Sequence, residues 1–341
     1  MRLTDHLKRS WAWLKWVVAL GALGGLAYGN REALAEVGRG PKDWGFLGLA
    51  AIILLATYLL TFLRWWILVR AQRFDFPPRQ AVRLGFIGLI ANYVAPGAVG
   101  GDLVKAFLMA RGQASRRTVA VATVVLDRIV GLLGLFLVGS AVALVPSGSL
   151  DRPELAPVRW LMWTGAFLGL LGLVLMLQPW LTRSAAVRSF ERIPRLGGLV
   201  RELIEGVALY QSRPRPVWLA LLVGVLCQCG LITGFYFCAL WMRQAWTPGL
   251  ETHFLFLPIA FLFGAFVPVP AGVGALEGAV QWWYGQLRPE GVTEESAAAA
   301  GFLAAVAFRM VTMAIAALGG GYYLTARSEI AGATGRTEEG T

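Results

Sequence analysis

Six apolar runs, at 11–29, 44–63, 119–145, 159–178, 217–241 and 297–325, are each long enough to cross a lipid bilayer. At ~1.5 Å per residue, about 20 helical residues cover a hydrocarbon core of ~30 Å. Membrane thickness, rather than a globular core, therefore sets the element lengths. Composition agrees: 57% of the 341 residues are hydrophobic and only 15% are charged, whereas soluble domains carry roughly 25% charged residues. The expected fold is an all-α polytopic membrane protein with about six full spans.

Two further apolar regions are interrupted. Region 81–110 is broken within NYVAPGAVGGD (residues 92–102), and region 253–287 within FVPVPAGVGALEG (residues 266–278). Neither half of either region is long enough to span alone, so both are expected to be re-entrant helical hairpins. Pro96, Pro268 and Pro270 end helices and release backbone carbonyls. Gly97, Gly100, Gly101, Gly272 and Gly274 permit sharp reversal. Irregular backbone at membrane depth is tolerated only where protein buries it or water lines it, so the two breaks should meet near the centre of the molecule.

The breaks echo each other. Residues 96–102 read Pro-Gly-Ala-Val-Gly-Gly-Asp and residues 270–277 read Pro-Ala-Gly-Val-Gly-Ala-Leu-Glu. Each is followed, in the next apolar run, by an arginine in the pattern Arg-[Ile/Met]-Val: Arg128 and Arg309. Three full spans lie between the two regions, so the hairpins should enter from opposite sides. That predicts an inverted repeat, the architecture in which transporters build a midplane site from broken helices.

Basic residues orient the chain. Apart from Arg128 and Arg309, only Arg31, Arg39, Lys42, Arg152, Arg159, Arg243 and Arg288 fall on one side, against 22 on the other. The basic side holds the connector 64–83, the stretch around Arg111, Arg116 and Arg117, and the connector 183–215. This gives an N-in/C-in topology. The formal charge of +11 thus reads as membrane orientation, with no nucleic-acid partner. Residues 183–215 have apolar positions at helical spacing among arginines, as in an amphipathic helix on the anionic leaflet. Arg2, Lys8, Arg9 and Lys15 precede the first apolar run, and Ala33-Leu34-Ala35 resembles a cleavage site. Because Arg31 and Glu32 interrupt the approach to it, an uncleaved first span is expected. Residues 1–327 are read as one transmembrane domain and 328–341 as a disordered cytoplasmic tail.

An arginine at a helix centre costs ~2.5–3.5 kcal/mol even on a lenient insertion scale, so Arg128 and Arg309 need a partner or a task. One reading is an ion pair, Arg128 with Asp102 and Arg309 with Glu277, or crossed. The other is a clamp on phosphate, whose oxygens match the guanidinium fork. Asp102 and Glu277 stand where new helices begin, and each either caps its own helix or contacts substrate. No catalytic triad, metal spacing or nucleotide-binding motif occurs, and no cofactor is expected. Cys227, Cys229 and Cys238 read as packing residues, His253 as a lone interfacial histidine, and Trp282, Trp283 and Tyr284 as an aromatic belt.

The runs RLGFIGLIANYVAPGAVGGDLVKAFLMAR, LDRIVGLLGL and FVPVPAGVGALEG together resemble the flippase-like transmembrane domain of the lysylphosphatidylglycerol synthase family, over roughly residues 10–325. That domain occurs joined to a soluble aminoacyl-phospholipid synthase and also alone. The resemblance points to Asn92, Pro96, Gly97, Gly100, Gly101, Asp102, Arg128, Pro270, Gly274 and Glu277. Lys105 stands where an arginine is expected, keeping the charge but losing bidentate geometry. The 341 residues are taken up by the membrane part, so no synthase domain is expected. The resemblance implies lipid translocation between leaflets.

The sequence thus reads as a non-enzymatic flippase or scramblase-like transporter of the bacterial inner membrane. Its cargo would be a phospholipid or a modified anionic or aminoacylated lipid. An anionic head group would lie near Arg128 and Arg309, with Asp102, Glu277, Lys105 and Asn92 completing the site. The alternatives are an integral-membrane transferase acting on a lipid-linked substrate and a non-transporting partner of a separate lipid-modifying enzyme. Small-residue faces at GALGG (21–25) and GLLG (131–134) are compatible with a homodimer.

Overall fold

A computed structural model of the chain describes residues 21, 24–31, 35, 41–94, 100–112, 116–146, 148, 150–184, 197–244, 246–267 and 272–335. From Trp44 onward these residues form eleven α-helices and, among the described residues, no strand. The helices are α1 (Trp44–Ala71), α2 (Pro78–Val94), α3 (Gly100–Gly112), α4 (Arg117–Val142), α5 (Ala156–Met176), α6 (Pro179–Arg183), α7 (Gly197–Ser212), α8 (Arg215–Leu240), α9 (Leu250–Phe266), α10 (Ala275–Gln286) and α11 (Glu294–Gly335). A 3₁₀ turn, Pro153–Leu155, leads into α5.

Among the described residues, five segments are long and apolar enough to cross a membrane: Trp44–Ala71, Arg117–Val142, Pro153–Met176, Arg215–Leu240 and Glu294–Gly321. They account for five of the six expected spans. The sixth, 11–29, lies mostly outside the described residues, of which 21 and 24–29 are helical. Each broken region is a helix pair, α2 with α3 and α9 with α10. At ~1.5 Å per residue these helices are about 25, 20, 25 and 18 Å long, each short of a ~30 Å hydrocarbon core. Residues 95–99 and 268–271, with Pro96, Gly97, Pro268 and Pro270, lie outside the described residues.

Helix α1 starts at Asp43, whose carboxylate accepts the Gly45 N–H at 3.2 Å. It overruns the expected span end by eight residues, because Trp65 to Val69 continue the apolar run beyond Arg64. Arg64 is therefore inside a helix rather than in a surface connector. The chain then reverses through Arg73, at φ 60°. The turn is pinned by Trp66 Nε1, which donates to the Phe76 carbonyl at 3.0 Å.

Helices α1, α4 and α8 pack together at the centre, with small residues setting their spacing. Gly134 of α4 meets the backbone of Gly224 of α8, and Gly230 and Gly234 of α8 face Thr57 and Leu54 of α1. Gly131 makes room for the Arg64 guanidinium. The GLLG face is thus filled within the chain. There Arg64 meets Asp127 of α4 in a buried two-point pair, Nε to Oδ1 at 2.7 Å and Nη2 to Oδ2 at 3.1 Å.

Helix α7 is docked rather than merely resting on a surface. Tyr210 OH donates to the Leu68 carbonyl at 2.9 Å, Gln72 Nε2 to the Gly206 carbonyl at 2.8 Å, and the Thr118 N–H to Glu202 at 3.1 Å. Residues 185–196 of that connector lie outside the described residues.

Two aromatic assignments change. His253 is fully buried between Gly249 O (2.9 Å) and Tyr284 OH (2.7 Å), with Phe235, Tyr236 and Phe256 around it. Trp283 and Tyr284 join the core and only Trp282 is exposed, because α10 is wedged between α9 and α11. Cys227 and Cys238 are buried free thiols and Cys229 is a partly buried one. Helix α11 continues through Gly335, past the expected start of the tail at 328. The stretch TARSEIA holds good helix formers. Residues 336–341 lie outside the described residues.

Removing one partner of a buried ion pair leaves an uncompensated charge. Arg64→Met or Asp127→Leu alone is expected to lower stability by about 3–5 kcal/mol, and the combined variant should recover most of that. Thermal unfolding in detergent checks both. Gly134→Ala would put a Cβ 2.9 Å from the Gly224 carbonyl carbon. Forcing α4 and α8 apart in this way should cost about 1–3 kcal/mol in the same measurement.

Candidate functional site

Where α3 begins, Asn92 Oδ1 accepts the Gly101 N–H at 2.8 Å, so α2 supplies the cap for the helix that follows the break. The helices approach closely enough that a Cβ on Gly101 would collide with the Gly88 carbonyl. Gly100 is buried at the same junction. This places Asp102 on the first turn of α3, where it meets two cations. Its Oδ1 lies 2.9 Å from Lys105 Nζ and its Oδ2 lies 2.9 Å from Arg128 Nη1. The Lys105 ammonium also sits 5.6 Å from the centre of the Trp65 ring. Arg128 is roughly 17 Å along α4 at ~1.5 Å per residue. It remains half-exposed, its side chain 48% accessible. One carboxylate therefore serves two cations, leaving a surplus positive charge.

The second break is built differently. Gly272 and Gly274 take φ values of 64° and 83°, left-handed angles that favour glycine. The Gly274 N–H donates to Glu277 Oε2 at 2.8 Å, so Glu277 caps the start of its own helix. The same carboxylate, 0% exposed, also receives Arg309: Nε donates to Oε1 and Nη2 to Oε2 at 3.1 Å. Arg309 Nη2 reaches the Gly272 carbonyl at 3.4 Å as well. A planar fork on a carboxylate is the geometry only arginine provides. Capping and ion pairing, alternatives on the sequence alone, are both met by Glu277. The pairing is uncrossed: Asp102 goes to Arg128 and Glu277 to Arg309.

Two cavities lie between these constellations. One, of about 170 Å³, is lined by Asn92 and Tyr93 of α2, Leu276 of α10, and Arg309 and Thr312 of α11. The other, of about 290 Å³, is lined by Arg64 of α1, Arg128 of α4, Gln228 of α8, and Phe261, Leu262 and Ala265 of α9. Tyr58 of α1 lines both. Each cavity thus has a wall from the first helix pair, or from the arginine bound to it, and a wall from the second. A larger cavity of about 590 Å³, between α4 and α7, is apolar apart from its rim at Gln72, Arg117 and Thr118. It holds none of these pairs.

Asn92, Asp102, Lys105 and Arg128 are therefore brought together, as are Glu277 and Arg309, and Asn92 and Arg309 share a cavity. Sequence reasoning missed the Arg64–Asp127 pair, although the apolar residues after Arg64 signalled that the helix continues. It also missed Tyr58, Gln228 and the bond from Tyr93 OH to Thr312 Oγ1 (2.9 Å). Isolated polar residues on apolar helices carry no spacing signal. Among the described residues, no group of three or more His, Cys, Asp or Glu is placed to hold a metal ion.

A search of curated proteins returns no match to the chain. The description of the lysylphosphatidylglycerol synthase TM region matches residues 12–320. That match takes in α1 to α10, α11 as far as residue 320, and both charged constellations of the site, and the chain belongs to this family.

Proposed function

We propose that this chain moves a phospholipid, or a modified anionic or aminoacylated lipid, between the leaflets of a bacterial inner membrane. The head group would pass through the two cavities while the acyl tails stay in the bilayer. The observation that carries this reading is the pair of cavities, walled by the two helix pairs and by arginines that lie within membrane-length helices. Polar side chains inside a membrane bundle ordinarily mark a substrate path, and broken helices at the midplane are how transporters form one.

The two helix pairs support a re-entrant, inverted arrangement in an N-in/C-in chain. All four helices are short of the hydrocarbon thickness. In each pair the acid is the third residue of the second helix, Asp102 in α3 and Glu277 in α10, and it binds an arginine of a long helix further on. Three membrane-length segments, Arg117–Val142, Pro153–Met176 and Arg215–Leu240, separate the pairs. A head-group phosphate competes for these arginines with the carboxylates they hold. Capture would open one pair and release would restore it, so transport needs no chemical step.

The test is a leaflet-accessibility assay in proteoliposomes. Arg309→Ala is expected to lower lipid redistribution by about tenfold or more, the loss of a charge-assisted bidentate contact. Arg309→Lys, which keeps the charge but not the fork, should fall between this variant and the wild type. Unchanged lipid distribution with Arg309→Ala stably inserted would sink the transport reading and favour a transferase or a non-transporting partner.

A further inference from the structure

We infer that the head group carried is a phosphate bearing neutral hydroxyls, on a lipid of net negative charge, and not a cationic aminoacylated one. This rests on the transport reading above and narrows its substrate class.

The first observation is the allocation of charge. The cavity of about 290 Å³ is lined by Arg64 and Arg128. Asp127 is fully engaged by Arg64 through both carboxylate oxygens. Asp102 is divided between Lys105 and Arg128. Three cations thus face two carboxylates, and one positive charge is left over. In the smaller cavity Arg309 and Glu277 offset each other. The undescribed breaks, 95–99 and 268–271, contain no ionisable residue that could change this balance. An ammonium group entering here meets guanidinium groups and finds each nearby carboxylate already paired. A phosphate meets the surplus charge on a half-exposed arginine.

The second observation is independent of charge. Gln228 Nε2 donates to the Gly131 carbonyl at 3.1 Å, which fixes the amide's orientation because a carbonyl cannot receive the amide oxygen. Its Oε1 is buried and accepts no hydrogen bond among the described residues. A buried acceptor without a donor calls for one from a bound water or from a ligand, and a hydroxyl-bearing head group can supply it. The cavity therefore asks for acceptor oxygens at Arg128 and a donor at Gln228. Beyond Tyr58, the smaller cavity adds Tyr93, Thr312 and Asn92, uncharged groups that can exchange hydrogen bonds with hydroxyls. A phosphate carrying a small polyol meets both demands. An ammonium could donate to Gln228 Oε1, but only beside Arg64 and Arg128.

The experiment reconstitutes the full chain in phosphatidylcholine vesicles holding a trace of one labelled lipid. The probes are phosphatidylglycerol (anionic, with hydroxyls), phosphatidic acid (anionic, without them), phosphatidylethanolamine and lysylphosphatidylglycerol. Phosphatidylglycerol is expected to cross about tenfold or more faster than either ammonium-bearing lipid. Gln228→Leu should slow phosphatidylglycerol by about fivefold while changing phosphatidic acid little, the signature of one lost hydrogen bond. Gln228→Glu, which adds a carboxylate, should narrow the gap between lysylphosphatidylglycerol and phosphatidylglycerol. Either ammonium-bearing lipid crossing as fast as phosphatidylglycerol in the unmodified chain overturns the inference and leaves transport standing. Movement of no lipid at all overturns the transport reading, and this inference with it.

Discussion

A guanidinium in hydrocarbon needs a carboxylate beside it, and that requirement places most of the polar architecture of this bundle. Desolvating either charge alone is costly, and a close pair recovers that only with good geometry and filled hydrogen-bonding positions. Arg64 with Asp127 and Arg309 with Glu277 meet the condition through two-point contacts in buried surroundings. Asp102, with Lys105 and Arg128, meets it incompletely. Satisfied pairs hold helices together, whereas the incompletely compensated one leaves a net positive charge on Lys105 and Arg128. Glycine runs on α4 and α8 follow from the same demand, since they admit a bulky guanidinium between helices that otherwise touch through backbone.

The backbone breaks raise the corresponding problem for peptide groups. Lipid offers no partner for a free N–H, and each second helix starts with such groups. The first break solves this with a side chain from the opposing helix, Asn92, leaving Asp102 free for cations. The second uses Glu277 itself, which must then cap and pair at once. Similar sequences at the two breaks thus give different divisions of labour, and Lys105, three residues after Asp102, gives the first break its surplus charge.

Much of this was legible in the sequence. Hydropathy located the five membrane-length helices, and the Pro-Gly breaks located both helix pairs. Acid and arginine in matching order named the four partners, because an intramembrane charge leaves few choices, but left open whether they pair directly, crossed or through a phosphate. What stayed hidden had physical causes. Arg64 looked like a span end because a charge usually marks the interface, and only its position opposite Asp127 and Gly131 makes the interior tolerable. His253 and Tyr284 looked interfacial from their segment's edges, yet a mutual hydrogen bond and surrounding aromatic rings let them sit inside. Gln228 and Tyr58 belong to a cavity assembled from several helices, and no local pattern announces such a place.

Asp127 and Arg128 are neighbours on α4, yet one faces α1 through Arg64 and the other faces α3 through Asp102. Successive residues of a helix point about 100° apart, so a single peptide unit keys α4 to two elements at once. Helix α4 therefore behaves as a keyed shaft. A roll about its long axis would load both keys together, the half-exposed and the buried one. A ligand that took Arg128 from Asp102 would release the key to α3 while the Arg64 pair still tied α1 to the shaft.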